Sequence, residues 1–424
     1  MVEIRQVGEV FTPGRIPEFT YNPRDEKDVE GTIRRFLQNR GAALTVSGPT
    51  KSGKTVVVDR LLPRDSALWV SGGDLRELDD LWMRVCEFLD LYDQVEWSTS
   101  KGSGFRGSIN ARLGTSGTGL GAEFGSDASR GTSFKGMARR PLAAVARDAL
   151  ADLEVPVVID DFHYVPDALK LDLVRAIKGI IATSPVVLIA VPHDAFSVVR
   201  SETDMLGRLW QLQIMPWSTD ELVYIARLGF DVLNVSDRND RIAKEFAKNS
   251  LGAPFLMQQL CLDYCIDEGI PETQRGKWKE LEPPKDLQQF YRNIATRYIP
   301  GVFDALRRGP RTKGQPRLPR KLKSGGTTDI YGAVLYGISK IGAVREVSTQ
   351  DLSRAISELF EDAPTTQNVA FALGQMNTIA ENGRGASDPA LAYRDDTLFM
   401  SDPFLSFYLR FGQWDLPSPP RNMV

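Results

Sequence analysis

The stretch Leu44-Thr45-Val46-Ser47-Gly48-Pro49-Thr50-Lys51-Ser52-Gly53-Lys54-Thr55 decides the fold. An apolar strand pattern runs into G-x-x-x-x-G-K-[ST], matched at every position by residues 48–55, and a helix pattern opens at Lys54-Thr55. Gly48 and Gly53 let the backbone curl until successive N–H groups point inward at phosphate oxygens. The positive end of the following helix adds to that field. Lys54 is expected to reach the β- and γ-phosphates of a nucleotide, and the Thr55 hydroxyl to reach Mg²⁺. Pro49, Thr50, Lys51 and Ser52 complete the loop. The alternative, an ordinary Gly-rich turn, does not require the strand before it and the helix after it.

The second half of such a site should be an acid at the end of a buried strand. Val155-Pro156-Val157-Val158-Ile159-Asp160-Asp161-Phe162-His163 supplies it. Asp160 is expected to hold Mg²⁺ through its water shell, and Asp161 to orient or activate the attacking water. A surface-facing acidic turn would fit Asp161 better than Asp160. A third apolar strand, residues 186–191, ends in Pro192-His193-Asp194. In ATPases of the additional-strand class a polar residue here senses the γ-phosphate, a role open to His193 or Asp194; an unremarkable polar strand end fits equally. Downstream, Leu206-Gly207-Arg208-Leu209 precedes an apolar strand and Pro216. Arg208 reads either as an arginine finger reaching a neighbouring subunit's nucleotide or as a salt-bridged surface arginine. Gly252-Ala253-Pro254 opens a further helix.

Strand and helix alternate around these motifs. A helix over residues 25–39 has Val29, Ile33, Phe36 and Leu37 at helical spacing. Strand 67–70, helix 74–92, strand 155–160, helix 168–182 and strand 186–191 follow. Such alternation predicts a parallel sheet covered on both faces, an α/β P-loop NTPase core of three layers. The core is interrupted by the Gly- and Ser-rich residues 96–136, whose alternating apolar positions on both sides of Thr115-Ser116-Gly117 read as an inserted β-hairpin rather than a floppy loop. Its use would be contact with a partner or a second protomer.

From 218 to 306 the pattern is helical with no strand signal, an all-α lid. Residues 307–323 carry eight Lys/Arg, no Asp or Glu, three Pro and two Gly. They read as a linker, assigned to 307–326; such a run is either solvated or placed to touch phosphates. The remaining residues, 327–414, show helices at 330–341, 349–360 and 365–382, then short strands around 391–394 and 398–401. That is the order of a winged helix, a module that places a helix in the DNA major groove. The candidate recognition helix contains no Lys or Arg, which counts against DNA binding through it.

Composition is that of a globular protein, with 42% apolar and 25% charged residues over 424 positions. A net charge of −3 advertises neither nucleic acid nor an anionic membrane. Three cysteines (Cys86, Cys261 and Cys265) argue against a disulfide framework and fit a reducing compartment. Cys261 and Cys265 read as buried core residues, and two histidines make a His/Cys metal site improbable. No apolar run approaches the ~20 residues needed to span a bilayer. The expected location is cytoplasmic.

Together GPTKSGKT, VVIDDFH, the Leu-Gly-Arg segment and the Gly-x-Pro triplet resemble the signal-transduction ATPases with numerous domains (the STAND class) and their AAA+ relatives. The end of the chain, LFMSDPFLSFYLRF at 398–411, is similar to the close of the winged helix in archaeal-type ATPases of that class. Origin-recognition ATPases share the layout of core, helical lid and winged helix. The resemblance covers about residues 10 to 412. It implies ATP and Mg²⁺ as ligands, with Lys54 and Thr55 on phosphate and Mg²⁺ and Asp160 assisting the metal. Pro254 would sit by the adenine, and the lead-in at 17–23 would cover the base from the other side. An arginine usual in the AAA+ second sensor is replaced by Gly252-Ala253-Pro254, which favours the STAND pattern. Asp161 stands where many AAA+ members have Glu, implying slow hydrolysis. No repeat of fixed period is visible to serve as a sensor.

The favoured reading is an ATP-driven switch acting through a protein partner or effector, in defence or stress signalling, with a homo-oligomer as one active form. A DNA-associated ATPase of initiator or transposition-regulator type is the alternative. A third is a nucleotide-binding scaffold without turnover.

Overall fold

The computed structural model describes residues 3–91, 95–96, 140–191, 202, 205, 207–276, 278–297, 301–312, 316–342, 345–383 and 389–414. Five strands form the central sheet: β1 Ala43–Ser47, β2 Leu68–Ser71, β3 Val157–Asp160, β4 Val186–Ala190 and β5 Leu209–Gln213. They lie parallel in the order β2-β3-β4-β1-β5. Strand β4 therefore separates the strand leading into the phosphate loop from the one ending in the acids, the arrangement of the additional-strand P-loop fold.

The continuous apolar runs of β3 and β4 are explained by burial on both faces. Val157, Ile159, Val186, Leu188 and Ala190 enter one core, under helices α3 (Leu78–Phe88), α4 (Leu142–Leu153) and α5 (Asp167–Ile180). Their alternates Val158, Val187 and Ile189 enter a second core, under α1 (Val29–Leu37) and α2 (Lys54–Leu61). The three expected layers are present.

Boundaries shift where caps override periodicity. The helix expected over 25–39 begins only at Val29, after a 3₁₀ turn at Asp25–Lys27. The one expected over 74–92 starts at Leu78, behind a reciprocal capping pair of Glu77 and Asp80. The hairpin expected over 96–136 lies outside the described residues apart from Glu96; in the flanking chain Val95 pairs with Arg140 in parallel.

Helices α6 (Thr219–Val232), α7 (Arg241–Asn249), α8 (Pro254–Asp267), α9 (Leu287–Arg297) and α10 (Phe303–Arg308) form the helical segment. One short strand pairing, Val235–Ser236 with Lys279–Glu280, interrupts it where no strand was expected. The run expected to be a linker has no helix or strand over its described residues 309–312 and 316–319, but parts of it are bonded to neighbouring elements. Arg320 and Lys321 pair with Thr328 and Thr327, and Arg317 donates to the Arg308 carbonyl and the Asp329 carboxylate. Basic side chains with fixed acceptors make ordered structure from a composition that reads as coil.

The C-terminal unit holds α11 (Ile330–Ile341), strand β6 (Glu346–Ser348), α12 (Thr349–Leu359), α13 (Thr366–Gly383), β7 (Leu391–Arg394), β8 (Thr397–Met400) and α14 (Pro403–Phe411). Its strands form an antiparallel sheet in the order β6-β8-β7. This is the expected helix and hairpin order with a third strand added. The unit shares one hydrophobic core with the helical segment, and Val7, Val10 and Phe11 from the start of the chain enter that same core. Among the described residues no helix is long and apolar enough to cross a membrane.

Candidate nucleotide site

Pro49 has no N–H to extend a ladder, so β1 stops and the chain turns into the loop. Gly48 is pressed against the next strand's exit; a Cβ there would lie 2.7 Å from the Ile214 carbonyl oxygen. Lys54 folds back over the loop, its Nζ donating to the carbonyls of Gly48 at 3.0 Å and Pro49 at 2.9 Å. Its ammonium is thereby held at the start of the loop and is buried. Lys54 and Thr55 also open α2, whose first N–H groups have no partner inside the helix. Buried beside them, the Ser52 hydroxyl has no hydrogen-bond partner among the described residues. A phosphate oxygen would satisfy both kinds of donor, so the loop fits the group the motif implies.

Thr55 and Asp160 meet: the threonine Oγ1 donates to Oδ2 at 3.0 Å. The other carboxylate oxygen, Oδ1, accepts from the Asp161 backbone N–H at 2.9 Å. Asp161 adopts the left-handed conformation, φ +52°, and lines the cavity in front of the loop. Among the described residues no group of three His, Cys, Asp or Glu gathers as a metal cage. A cation here would draw its remaining ligands from phosphate and water, as Mg²⁺ does. Thr55 and Asp160 are the residues that would hold it, and it would neutralise phosphate charge.

The cavity has a volume of about 770 Å³. The phosphate loop forms its floor. One wall is the lead-in, from Thr12 to Arg24; Pro254, Phe255 and Gln258 at the start of α8 form another; Pro389, Asp402 and Phe404 of the C-terminal unit close a third side. Pro17 and Pro23 stand in the wall. Pro254 occupies the first turn of α8, where its missing N–H costs nothing. Lys51 of the loop lies over the Phe255 ring at 5.0 Å.

Several residues that sequence reasoning missed hold these walls together. Arg24 is buried and doubly bonded to Glu221, Nε to Oε1 at 2.8 Å and Nη2 to Oε2 at 3.1 Å. Its Nη1 donates to the Met215 carbonyl at 3.0 Å, and its guanidinium lies 4.9 Å over Trp217. Trp217 Nε1 in turn donates to the Ser52 carbonyl in the phosphate loop at 2.8 Å. Gln258 accepts from the Thr12 N–H and donates to Thr20 Oγ1, pinning the lead-in to α8. Tyr21 donates to Glu30 at 2.7 Å, and burial, then that carboxylate, push its hydroxyl above the ordinary tyrosine value. Only one signal for these contacts was legible: Ser218 and Glu221 form a capping box at the start of α6, a pattern visible as S-x-x-E.

Arg208 is exposed and precedes β5 at the end opposite the phosphate loop. Five residues of extended strand, about 17 Å, separate it from that loop's end of the sheet. It does not line the cavity, so any role toward a nucleotide would have to be across a subunit boundary. His193 and Asp194 lie outside the described residues.

No family model matches the chain, and no curated protein matches it. Among solved structures it is similar to a Walker-type ATPase of Pyrococcus abyssi, with 13% identity over 91% of this chain and 95% of that one and a TM-score of 0.49. It is also similar to the Aeropyrum pernix ORC2 protein, with 11% identity, 94% and 96% of the two chains covered, and a TM-score of 0.49. A STAND protein with a tetratricopeptide repeat sensor from Pyrococcus horikoshii aligns at 10% identity and a TM-score of 0.39, over 93% of this chain and 43% of that one.

Proposed function

We propose that this protein binds ATP with Mg²⁺ on residues 48–55 and works as a slowly hydrolysing switch of STAND type. The observation that carries this reading is the composition of the cavity wall. Phosphate loop, lead-in, helical segment and C-terminal unit all contribute residues to one space. A nucleotide there would touch all of them, and loss or hydrolysis of that nucleotide would alter their mutual affinity.

In this reading Lys54 and the loop amides bind phosphate, Thr55 and Asp160 hold the metal, and Asp161 orients the attacking water. Pro254 and the lead-in enclose the base. Arg208 serves a neighbouring protomer if the active form is an oligomer. The output is a protein partner or effector. DNA is the weaker candidate because α13, the helix that would enter a groove, has no Lys or Arg.

The test is ATP turnover by the purified chain, with and without double-stranded DNA, beside Lys54→Ala. Slow turnover indifferent to DNA and lost in Lys54→Ala supports the switch. Stimulation by DNA that vanishes in the variant would replace it with a DNA-associated ATPase.

A further inference from the structure

Asp59 lies on the face of α2 that carries Thr55 and Val56, four and three positions after them, and all three line the large cavity. Its side chain is only 8% exposed, yet it is bonded on one side alone. Oδ2 accepts from Arg64 Nε at 2.9 Å, and the Arg64 guanidinium is itself held 4.5 Å over the Trp69 ring. Oδ1 takes no hydrogen bond from the described residues, nor is it sealed beneath neighbouring atoms. A nearly buried carboxylate oxygen is costly unless a donor reaches it. That donor is supplied by whatever fills the cavity, water or ligand.

Where Asp59 stands along a nucleotide follows from α2. Lys54 and Thr55 fix the phosphate end at the first turn, and Asp59 lies about 6 Å further along the axis. At that level the lead-in crosses the helix. The Tyr21 ring, which lines the cavity, lies 4.2 Å from the guanidinium carbon of Arg60, the residue after Asp59. Other polar side chains of the lead-in and α8 already have partners: Asn22 donates to the Glu221 carbonyl, Arg24 to the Glu221 carboxylate and Gln258 to Thr20. An ionised carboxylate can only accept. On adenosine triphosphate only the ribose hydroxyls and the exocyclic amine donate. The lead-in is the wall that encloses the base in the reading above, so the amine is the group that meets Asp59.

We propose that Asp59 selects the base: its Oδ1 accepts a hydrogen bond from the exocyclic amine of adenine, so adenosine nucleotides bind in preference to those with a carbonyl at the same ring carbon. A carbonyl there would set two acceptors against each other and leave a nearly buried oxygen unpaired, which is how polar sites reject close analogues. Arg64 is a positioning residue, because its bond to Oδ2 fixes which oxygen faces the cavity. The proposal rests on the nucleotide-binding reading above and supplies the side chain by which that site tells one base from another.

The experiment is calorimetric binding of ADP, IDP and 2′-deoxy-ADP, each with Mg²⁺, to the full chain and to Asp59→Asn. Diphosphates avoid turnover during the titration. The wild type should bind ADP about 10-fold or more tighter than IDP, and 2′-deoxy-ADP as tightly as ADP. In Asp59→Asn the amide oxygen stays with Arg64 Nε and an N–H₂ faces the cavity, so the preference for ADP should vanish or invert. A wild type that binds ADP and IDP equally would overturn the proposal, as would a variant that keeps the full preference. A deficit confined to 2′-deoxy-ADP would place the carboxylate on the ribose and overturn it too. If Asp59→Asn does not fold, Asp59→Asn with Arg64→Gln removes both charges of the pair and takes its place, with the same loss of preference expected. A wild type that binds none of the three would defeat the nucleotide-binding reading itself, and this proposal with it.

Discussion

Thr55 and Asp160, 105 positions apart in the chain, are joined by a hydrogen bond of 3.0 Å from the threonine hydroxyl to the aspartate Oδ2. Removing that hydroxyl should separate metal binding from phosphate binding. Thr55→Val is expected to lose about 10-fold in ATP affinity when Mg²⁺ is present and almost nothing in EDTA. Calorimetry under both conditions checks it; equal losses would mean that Thr55 serves the loop's shape and not the ion. Folding stability should fall by only about 1 kcal/mol, the worth of one hydrogen bond.

Arg24 is the most heavily bonded side chain behind the site, and its side chain is only 4% exposed against Glu221 at 16%. Arg24→Ala leaves the Glu221 carboxylate without its cation and the Met215 carbonyl without its donor. Breaking a buried pair in this way costs about 3–5 kcal/mol. Chemical denaturation should show a loss of that size, and Arg24→Lys should restore little because one ammonium cannot reproduce the fork. A loss below about 1 kcal/mol would place the pair with ordinary surface bridges.

The same pair sets an acid limb. Burial alone would raise the Glu221 carboxyl, but the hydrogen bonds and charge of Arg24, together with hydrogen bonds from Ser218, outweigh it, and the group lies below its ordinary value of 4.5. A carboxyl depressed on folding stabilises fully above its unfolded value and loses that contribution as pH falls through the folded one. Wild-type melting temperature should therefore drop as pH falls below 4.5. Glu221→Gln, less stable at neutral pH, should show a shallower drop over the same window. Parallel curves for the two proteins would remove Glu221 from the account.

Trp217 touches the phosphate loop through Ser52 and the Arg24–Glu221 pair through Arg24, so it should report loop occupancy. ATP with Mg²⁺ is expected to change intrinsic fluorescence in the wild type. Trp217→Phe should abolish most of that change although six other tryptophans remain. A signal that survives the substitution intact would show that the loop does not move the indole.

Cys86, Cys261 and Cys265 are all buried. Burial pushes the Cys265 thiol up to about 12 and the Cys261 thiol well above its ordinary value. Thiols held protonated and shielded are poor nucleophiles. None of the three should react with a disulfide reagent at pH 8 in the native protein, and all three should react in denaturant. Fast reaction in native buffer at either α8 cysteine would show that α8 opens.

Which parts were legible in sequence follows from range. The phosphate loop needs only Gly48, Gly53, Lys54 and Thr55 at fixed spacing after an apolar strand, and the loop folds around its own lysine. Asp160 was legible because a strand buried on both faces leaves a continuous apolar run with the acid at its end. Helix starts were less so: Leu78 and Val29 begin their helices because of turns and caps that periodicity does not weigh. The bonding of residues 317–328 was hidden because composition cannot tell whether an arginine such as Arg317 will find fixed acceptors.

The sequence by itself determined the loop, the acidic strand and the layered α/β core, because those patterns are local and repeat along single elements. Tertiary structure alone decided that Arg24 meets Glu221 across 197 positions, that Trp217 meets Ser52 across 165, and that Arg345 meets Leu251 across 94. It also decided that the helical segment and the C-terminal unit share one core. A guanidinium or an indole carries no mark of its partner in the chain; the partner is whichever buried acceptor packing brings within 3 Å or so, and desolvation makes that pairing obligatory.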